Sequence, residues 1–191
     1  MLESCIKLTV KILTSIIFNK KLRKCYREKF LTKYYGYNVL KNAKFVGKNF
    51  YCGGFSSVNN NTSIGNDVCF NGLNIHGNGE VTIGNYFHSG VECLIITQNH
   101  NYKGNKLPYD ETYYCKKVEI NDCVWLGSRV TILPGTEIGE GAIIQAGAVV
   151  HGTIPAYSIA GGNPAKVFKY RNIEHYNKLK AKKNFLKNYD I

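Results

Sequence analysis

The chain has 191 residues, with 25 Lys and Arg against 13 Asp and Glu, a formal net charge of +12 and 44% hydrophobic residues. That length fits one domain with a sizeable core and short extensions, and it excludes several large domains within this sequence. Its 7 cysteines, an odd number, are scattered without a C-x-x-C pair, which suggests neither a zinc site nor a disulfide framework and predicts reduced, mostly buried thiols in a cytoplasmic protein.

The charge is unevenly placed. Residues 1–45 carry 11 Lys/Arg and 2 Asp/Glu, residues 46–165 carry 6 and 9, and residues 166–191 carry 8 and 2. Basic ends around a near-neutral middle suit an anionic partner. No basic run is interleaved with aromatics as nucleic-acid binding would require, so no nucleic-acid partner is expected.

Residues 1–40 read as an N-terminal amphipathic helical segment. Within "CIKLTVKILTSIIF" (5–18) a helix gathers Lys7, Lys11, Thr14 and Ser15 on one side and leaves a broad apolar face. The stretch falls short of the ~20 residues that span a bilayer. It runs into "NKKLRKCYREK" rather than a small-residue cleavage site, so neither a spanning helix nor a secretory signal is predicted. The apolar face either caps the body of the protein or lies on an anionic membrane surface as a peripheral contact.

From about residue 41 to 167 the sequence keeps a period of six. Ile120, Leu126, Ile132, Ile138, Ile144 and Val150 are all aliphatic, and two residues before each stand Val118, Val124, Val130, Thr136, Ala142 and Ala148. Aliphatic-Gly pairs recur at Val46-Gly47, Ile64-Gly65, Ile83-Gly84, Leu126-Gly127 and Ile138-Gly139. Period six fits neither a helix nor long alternating strands. It fits short strands joined by tight turns, three to a triangular coil of about eighteen residues, stacked as a parallel β-solenoid with aliphatic residues inside and Gly, Asn or Asp at the corners. Such a stack needs a cap at each end, which the first 40 residues and the basic tail 168–191 can supply.

The period stops between Ile96 and Val118. The intervening loop 97–117, "TQNHNYKGNKLPYDETYYCKK", is polar and aromatic and holds His100. An insertion of this size in a compact solenoid points to function.

The segment "VEINDCVWLGSRVTILPGTEIGEGAIIQAGAVVHGTIPAYSIAGGNPAKV" (118–167) resembles the hexapeptide-repeat acyltransferases. Within it, "VWLGSRVTILPG" and "YSIAGGNPAKV" look like the galactoside and maltose O-acetyltransferases and their relatives in capsule and O-antigen synthesis. The resemblance covers roughly residues 45–170. It implies an all-β, left-handed parallel β-helix, a departure from the usual right-handed crossover, flanked by the N-terminal helical segment and a basic helical tail. It implies acetyl-CoA as donor, no metal, and a homotrimer in which the extruded loop covers a groove between subunits.

Carried over residue by residue, the resemblance makes His100 the general base. An imidazole with pKa near 6.5 can take the proton of an attacking sugar hydroxyl and return it to the thiolate. Asn71, His88, Glu92 and Trp125 become acceptor-side residues, Glu92 orienting His100 and the Trp125 indole stacking on a sugar. Gly127, Ser128 and Ala146 lie along the pantetheine arm, and Lys166 and Lys169 near the phosphates. His151-Gly152 departs from the Thr-Lys common before "IP" in relatives with small soluble acceptors. His76, His151 and His175 carry no motif.

The function expected is acetyl transfer to a sugar hydroxyl in capsule, O-antigen or exopolysaccharide synthesis, in the cytoplasm or at the inner face of its membrane. The alternatives are a streptogramin-type antibiotic or a nucleotide-linked amino sugar as acceptor, or a non-enzymatic scaffold. A carbonic-anhydrase-like metal site would need three converging histidines, and the loop holds one with no H-x-x-x-x-H spacing.

Overall fold

Every sixth residue is aliphatic because each stands at the middle of one face of a three-sided prism. The computed structural model describes Ser4, residues 8–12 and residues 20–186, and from residue 45 it winds as a parallel β-solenoid of six coils.

Each coil lays a strand on the first, the second and then the third face. The first face stacks β1 (Phe45–Val46), β3 (Thr62–Ile64), β6 (Val81–Ile83), β11 (Val118–Ile120), β14 (Glu137–Ile138) and β17 (Thr153–Ile154). The second stacks β2 (Tyr51–Gly54), β4 (Cys69–Asn71), β7 (His88–Ser89), β12 (Trp125–Leu126), β15 (Ile143–Ile144) and β18 (Ser158–Gly161). The third stacks β5 (Leu73–His76), β8 (Cys93–Ile96), β13 (Thr131–Ile132) and β16 (Val149–Val150), with Ser57 bridging to Asn74 below β5.

Parallel register puts like on like inside the prism. Ile64, Ile83, Ile120, Ile138 and Ile154 form one column, and Ile75, Ile95, Ile132 and Val150 another. All six residues of the hexad series and the six that precede them by two are fully buried. Each buried aliphatic side chain contributes about 1.5–3 kcal/mol relative to exposure, and no single coil could bury them without its neighbours. Towards the first coils the core turns aromatic, with Phe50, Phe70 and Phe87 in successive edge-to-face contacts at 5.2 and 5.9 Å.

The edge between first and second faces turns through one left-handed residue per coil: Asn49, Asp67, Tyr86, Cys123, Gly141 and Tyr157. A residue with a Cβ pays about 1–2 kcal/mol for this conformation. A side-chain ladder on the same edge offsets it. Asn66 Oδ1 accepts from Lys48 N at 2.9 Å, Asn85 Oδ1 from Asn66 N at 2.9 Å, and Asp122 Oδ1 from Asn85 N at 2.7 Å. The Gly-, Ser- and Asn-rich stretch of the first coils is explained in the same way. Ser57 Oγ donates to Asn74 Oδ1, and Asn59 and Asn61 donate to the carbonyls of Gly77, Gly79 and Asn78, so polar side chains tie coil to coil.

The open end at coil one is capped by α1 (Lys20–Tyr35) and α2 (Tyr37–Asn42). Tyr35 and Val39 are buried there, and Tyr34 and Tyr35 meet Phe55 edge-on at 5.2 and 4.8 Å. Of the amphipathic face expected at residues 5–18, Lys7, Thr14 and Ser15 lie outside the described residues; residues 8–12 are helical, with Val10 buried and Leu8 and Ile12 exposed. Among the described residues no helix is long and apolar enough to cross a membrane. Among the described residues Cys52, Cys69 and Cys93 are buried, Cys123 is half-buried and Cys115 is exposed, and all five are free thiols.

The basic tail differs from a plain helical extension. It begins with β19 (Lys166–Tyr170), antiparallel to β18, and only then forms α3 (Ile173–Ala181), whose N-cap Asn172 accepts from His175 N at 2.8 Å. The helix folds back onto the edge between first and second faces. There Tyr176 is buried against Gly141 and Tyr157, and its hydroxyl donates to Glu140 Oε1 at 2.9 Å.

Candidate active site

The interruption at residue 97 is a built hairpin. β9 (Gln98–His100) pairs antiparallel with β10 (Tyr113–Cys115), leaving the prism at the edge between third and first faces. Thr97, fully buried, pins its neck: the hydroxyl accepts from Gly79 N at 3.0 Å and donates to His76 O at 2.9 Å, and its carbonyl accepts from Lys116 N at 2.9 Å. The solenoid then resumes in register, Glu119 beside Thr82. At the tip Asp110 accepts from Thr112 N and Oγ1 and from Asn105 N, which holds its carboxyl below the usual range.

His100 sits where the hairpin leaves the wall, its ring stacked on Tyr109 at 3.7 Å and tilted against Tyr113 at 4.5 Å. Its Nδ1 is buried without a hydrogen-bond partner. A buried orphan nitrogen is costly, and none of the described residues meets it.

The acceptor-side residues are on other parts of the prism. His88 and Trp125 stand beside each other on the second face, pointing outward in adjacent coils, with Ile143 next in the column. Trp125 is 54% exposed. His88 has its Nε2 buried and unpartnered, and burial pushes its pKa down. The Asn71 amide is turned to the wall, donating to Ser89 O at 2.9 Å, so it ties two coils together. Glu92 occupies the edge between second and third faces and accepts from Arg129 Nε at 2.7 Å. It stands at the start of β8 and the His100 hairpin follows the end of that strand, roughly 13 Å away at about 3.3 Å per residue. One chain therefore does not bring His100 to Glu92, Trp125 or Asn71.

The positions expected along a pantetheine arm do come together. Gly127, Ser128 and Ala146 share the edge between second and third faces, where Gly90 packs against Ser128 and Gly127 against Ala146. Nothing larger than a methyl projects from Gly127, Ala146 or Gly147, so backbone stays open to a long thin ligand, and Trp125 is adjacent. Lys166 lies beside Gly161 at the end of this edge and Lys169 beside Ile159, both exposed. The residues present thus fit a coenzyme A arm with its phosphates towards the two lysines.

A cleft of about 490 Å³ separates the second face from α3, with His88 and Trp125 on one side and Arg171, Tyr176, Lys180 and Phe185 on the other. Sequence reasoning missed this wall. A basic helical tail that caps the stack is expected, but not a wall along the second face, although Tyr170, Tyr176 and Phe185 interrupt its lysines and aromatics in a basic segment signal docking. Among the described residues, no three His, Cys, Asp or Glu side chains converge as a metal site would need.

The fold is thus a parallel solenoid with a small-residue edge and a histidine hairpin thrown from its wall. The family described as bacterial transferase hexapeptide (six repeats) matches residues 117–152. The chain is 33% identical over 136 residues to a probable macrolide acetyltransferase of Lysinibacillus sphaericus, covering 70% of this chain and 67% of that protein. It is 38% identical over 102 residues to the putative lipopolysaccharide biosynthesis O-acetyl transferase WbbJ of Escherichia coli, covering 49% of this chain and 52% of that one. The solved structure of a galactoside acetyltransferase in complex with coenzyme A superposes with a TM-score of 0.59 at 24% identity, covering 89% of this chain and 82% of that one. The chain belongs to the hexapeptide-repeat acyltransferase family. It spans only 32% to 55% of the length of several curated relatives that it matches.

Proposed function

We propose that this protein is an acetyl-CoA-dependent O-acetyltransferase that modifies a sugar hydroxyl during surface-polysaccharide synthesis in the cytoplasm, with His100 as general base. The observation that carries the reading is His100 itself: the one histidine of an extruded, neck-pinned hairpin, held between two tyrosines with a ring nitrogen left unpartnered. The relatives named for lipopolysaccharide and galactoside acetylation support a sugar acceptor.

The donor supplies an acetyl group activated as a thioester. Gly127, Ser128 and Ala146 would line its arm and Lys166 and Lys169 its phosphates. His100 takes the proton from the acceptor hydroxyl as that oxygen attacks, holds it as imidazolium, and returns it to the departing sulfur. Such a base contributes typically 10²–10⁴-fold.

The distances within one chain favour a shared site, and we assign it to a homotrimer in which one copy's hairpin faces another's second face. The third face supports this. Its outward positions Leu94, Ile96, Thr131 and Val149 form a half-buried, largely apolar stripe with no covering element among the described residues. In such a trimer Glu92 of a neighbouring copy becomes available to an imidazolium at His100. The exposed Leu8 and Ile12 beside Lys11 support peripheral contact with anionic membrane, tested by co-sedimentation with phosphatidylglycerol vesicles. A macrolide- or streptogramin-type acceptor is the second reading, favoured by the relative matched over 67% of its length.

Calorimetric titration with acetyl-CoA, with ADP and ATP as controls, tests the donor. Saturable binding much tighter than the controls is expected; no binding at hundreds of micromolar would sink the reading. A screen of sugars, sugar nucleotides and macrolides, with His100→Ala as control, then separates the acceptors.

A further inference from the structure

The cleft between the second face and α3 has two walls that differ in kind. The solenoid side offers the Trp125 indole, partly exposed and flat, in register with His88, whose buried Nε2 lacks a hydrogen-bond partner. An aromatic face next to an unsatisfied polar atom fits a sugar ring, which stacks its C–H face and presents hydroxyls at its rim.

The helix side offers a fixed cation. Arg171 donates from Nη1 to Gly141 O at 3.1 Å, and its guanidinium lies 5.0 Å from the centre of the Tyr176 ring. A guanidinium has five N–H donors, so the fork is oriented by a neutral carbonyl and an aromatic ring with donors to spare. No carboxylate pairs with it among the described residues. Lys180 is tied to Glu140 at 2.6 Å and contributes less. Tyr176 and Glu140 hold the wall in place, and Phe185, stacked on Tyr86 at 4.0 Å and 10°, closes its far end. A purely apolar ligand would leave Arg171 without purpose, and a bare anion would leave the indole without one.

We infer that this cleft binds a glycosyl phosphate, a sugar carrying a phosphate or diphosphate at its reducing end, with Trp125 under the ring and Arg171 on the phosphate. The volume of about 490 Å³ suits a monosaccharide with such a group. The net +6 of residues 166–191, from 8 Lys/Arg against 2 Asp/Glu, draws anions towards this end. Binding stands on the cleft alone. That the bound sugar is the acetyl acceptor rests on the function proposed above, and acetylation would then precede polymerisation.

Trp125 is the only tryptophan in the chain, so its emission reports on this cleft. The full-length protein is titrated with UDP-glucose, glucose 1-phosphate, UDP, methyl glucoside and a polyprenyl-phosphate-linked sugar in detergent micelles. Saturable emission changes are expected for the phosphorylated sugars at concentrations at least tenfold below methyl glucoside, weakening with added salt. Arg171→Gln should weaken them at least tenfold and leave methyl glucoside unchanged. Which of the soluble and polyprenyl-linked ligands binds tighter identifies the carrier. Equal affinity for neutral and phosphorylated sugars overturns the proposal, as does UDP binding as tightly as UDP-glucose. If Arg171→Gln fails to fold, the salt dependence of the wild-type protein decides. Acetyl-CoA titrated calorimetrically on the same preparation keeps the two readings apart. Donor binding without glycosyl phosphate binding refutes this cleft and spares the acyltransferase, and the converse does the reverse.

Discussion

Gly127→Ala should destabilise the solenoid by about 3 kcal/mol, well beyond Gly147→Ala one coil further along the same edge. A Cβ on Gly127 would lie 2.5 Å from Ala146 N and 2.9 Å from Ala146 Cα, against an ordinary contact that begins near 3.4 Å. Coils four and five would have to part by close to 1 Å. Two hydrogen bonds tie them there, Gly127 N to Ile144 O at 2.8 Å and Gly147 N to Ser128 O at 2.9 Å. That displacement carries both past about 3.5 Å, where they no longer form. Each is worth about 1 kcal/mol net, residual overpacking adds about 1–3 kcal/mol, and the lower entropy of unfolded Ala returns about 0.4–1 kcal/mol. At Gly147 an added Cβ meets nothing within 4 Å, and only its φ of +74° resists, at about 1–2 kcal/mol. Urea unfolding followed by far-ultraviolet circular dichroism compares the two. Stacked coils can uncouple locally, so a broadened transition for Gly127→Ala also fits. A Gly127→Ala protein as stable as Gly147→Ala would refute the close-approach argument.

His100→Ala should lower kcat/KM by about 10²–10⁴-fold and leave acetyl-CoA affinity within twofold by calorimetry. Ile132→Ala, at a fully buried position between Ile95 and Val150, should cost about 3–4 kcal/mol in urea unfolding, because hydrogen-bonded walls cannot collapse into the gap. Leu94→Lys should leave far-ultraviolet circular dichroism unchanged and reduce the mass in light scattering to that of one chain, with loss of activity. Burial lowers the pKa of His88, so below about 6.5 the unfolded chain binds a proton that the folded one refuses. Its contribution to stability is therefore complete above about 6.5 and is lost as pH falls towards the lowered folded value. The drop in unfolding free energy between pH 7.5 and 5.5 should be smaller in His88→Gln.

The core was legible because its signal is local and repeated. Six aliphatic positions at a fixed spacing can face only the inside of a three-sided coil, and all six are buried. The hairpin was legible as an absence of that spacing, though not as paired strands, since "TQNH" and "TYYC" have no alternation to announce them. Asn71 shows the limit of reading polarity as function: its amide serves Ser89 O in the next coil, a partner 18 residues away that no local pattern marks. Glu92, expected to orient His100, turns an edge at φ +57° and meets Arg129 within its own chain. The helix wall stayed hidden because its docking depends on one atom that is missing. Gly141 lacks the Cβ that would lie 2.9 Å from the Tyr176 ring, and a glycine at a corner reads as a turn whether or not a helix lands on it.

The three edges of the prism carry different chemistry, and this is what the repeat makes possible. Identical coils would give identical edges; here the edge between first and second faces carries the Asn–Asp ladder and receives α3, that between second and third combines small residues with the Glu92–Arg129 pair, and that between third and first throws out the hairpin. The wall between them is rigid, each coil bonded to the next, and the hairpin is pinned at Thr97 rather than hinged. On the function proposed above, a histidine on one edge can serve a donor on another only if a second prism brings the two edges together. On that function the hairpin would serve a neighbour's groove, and the Nδ1 of His100, unpartnered among the described residues, is the atom that groove would meet.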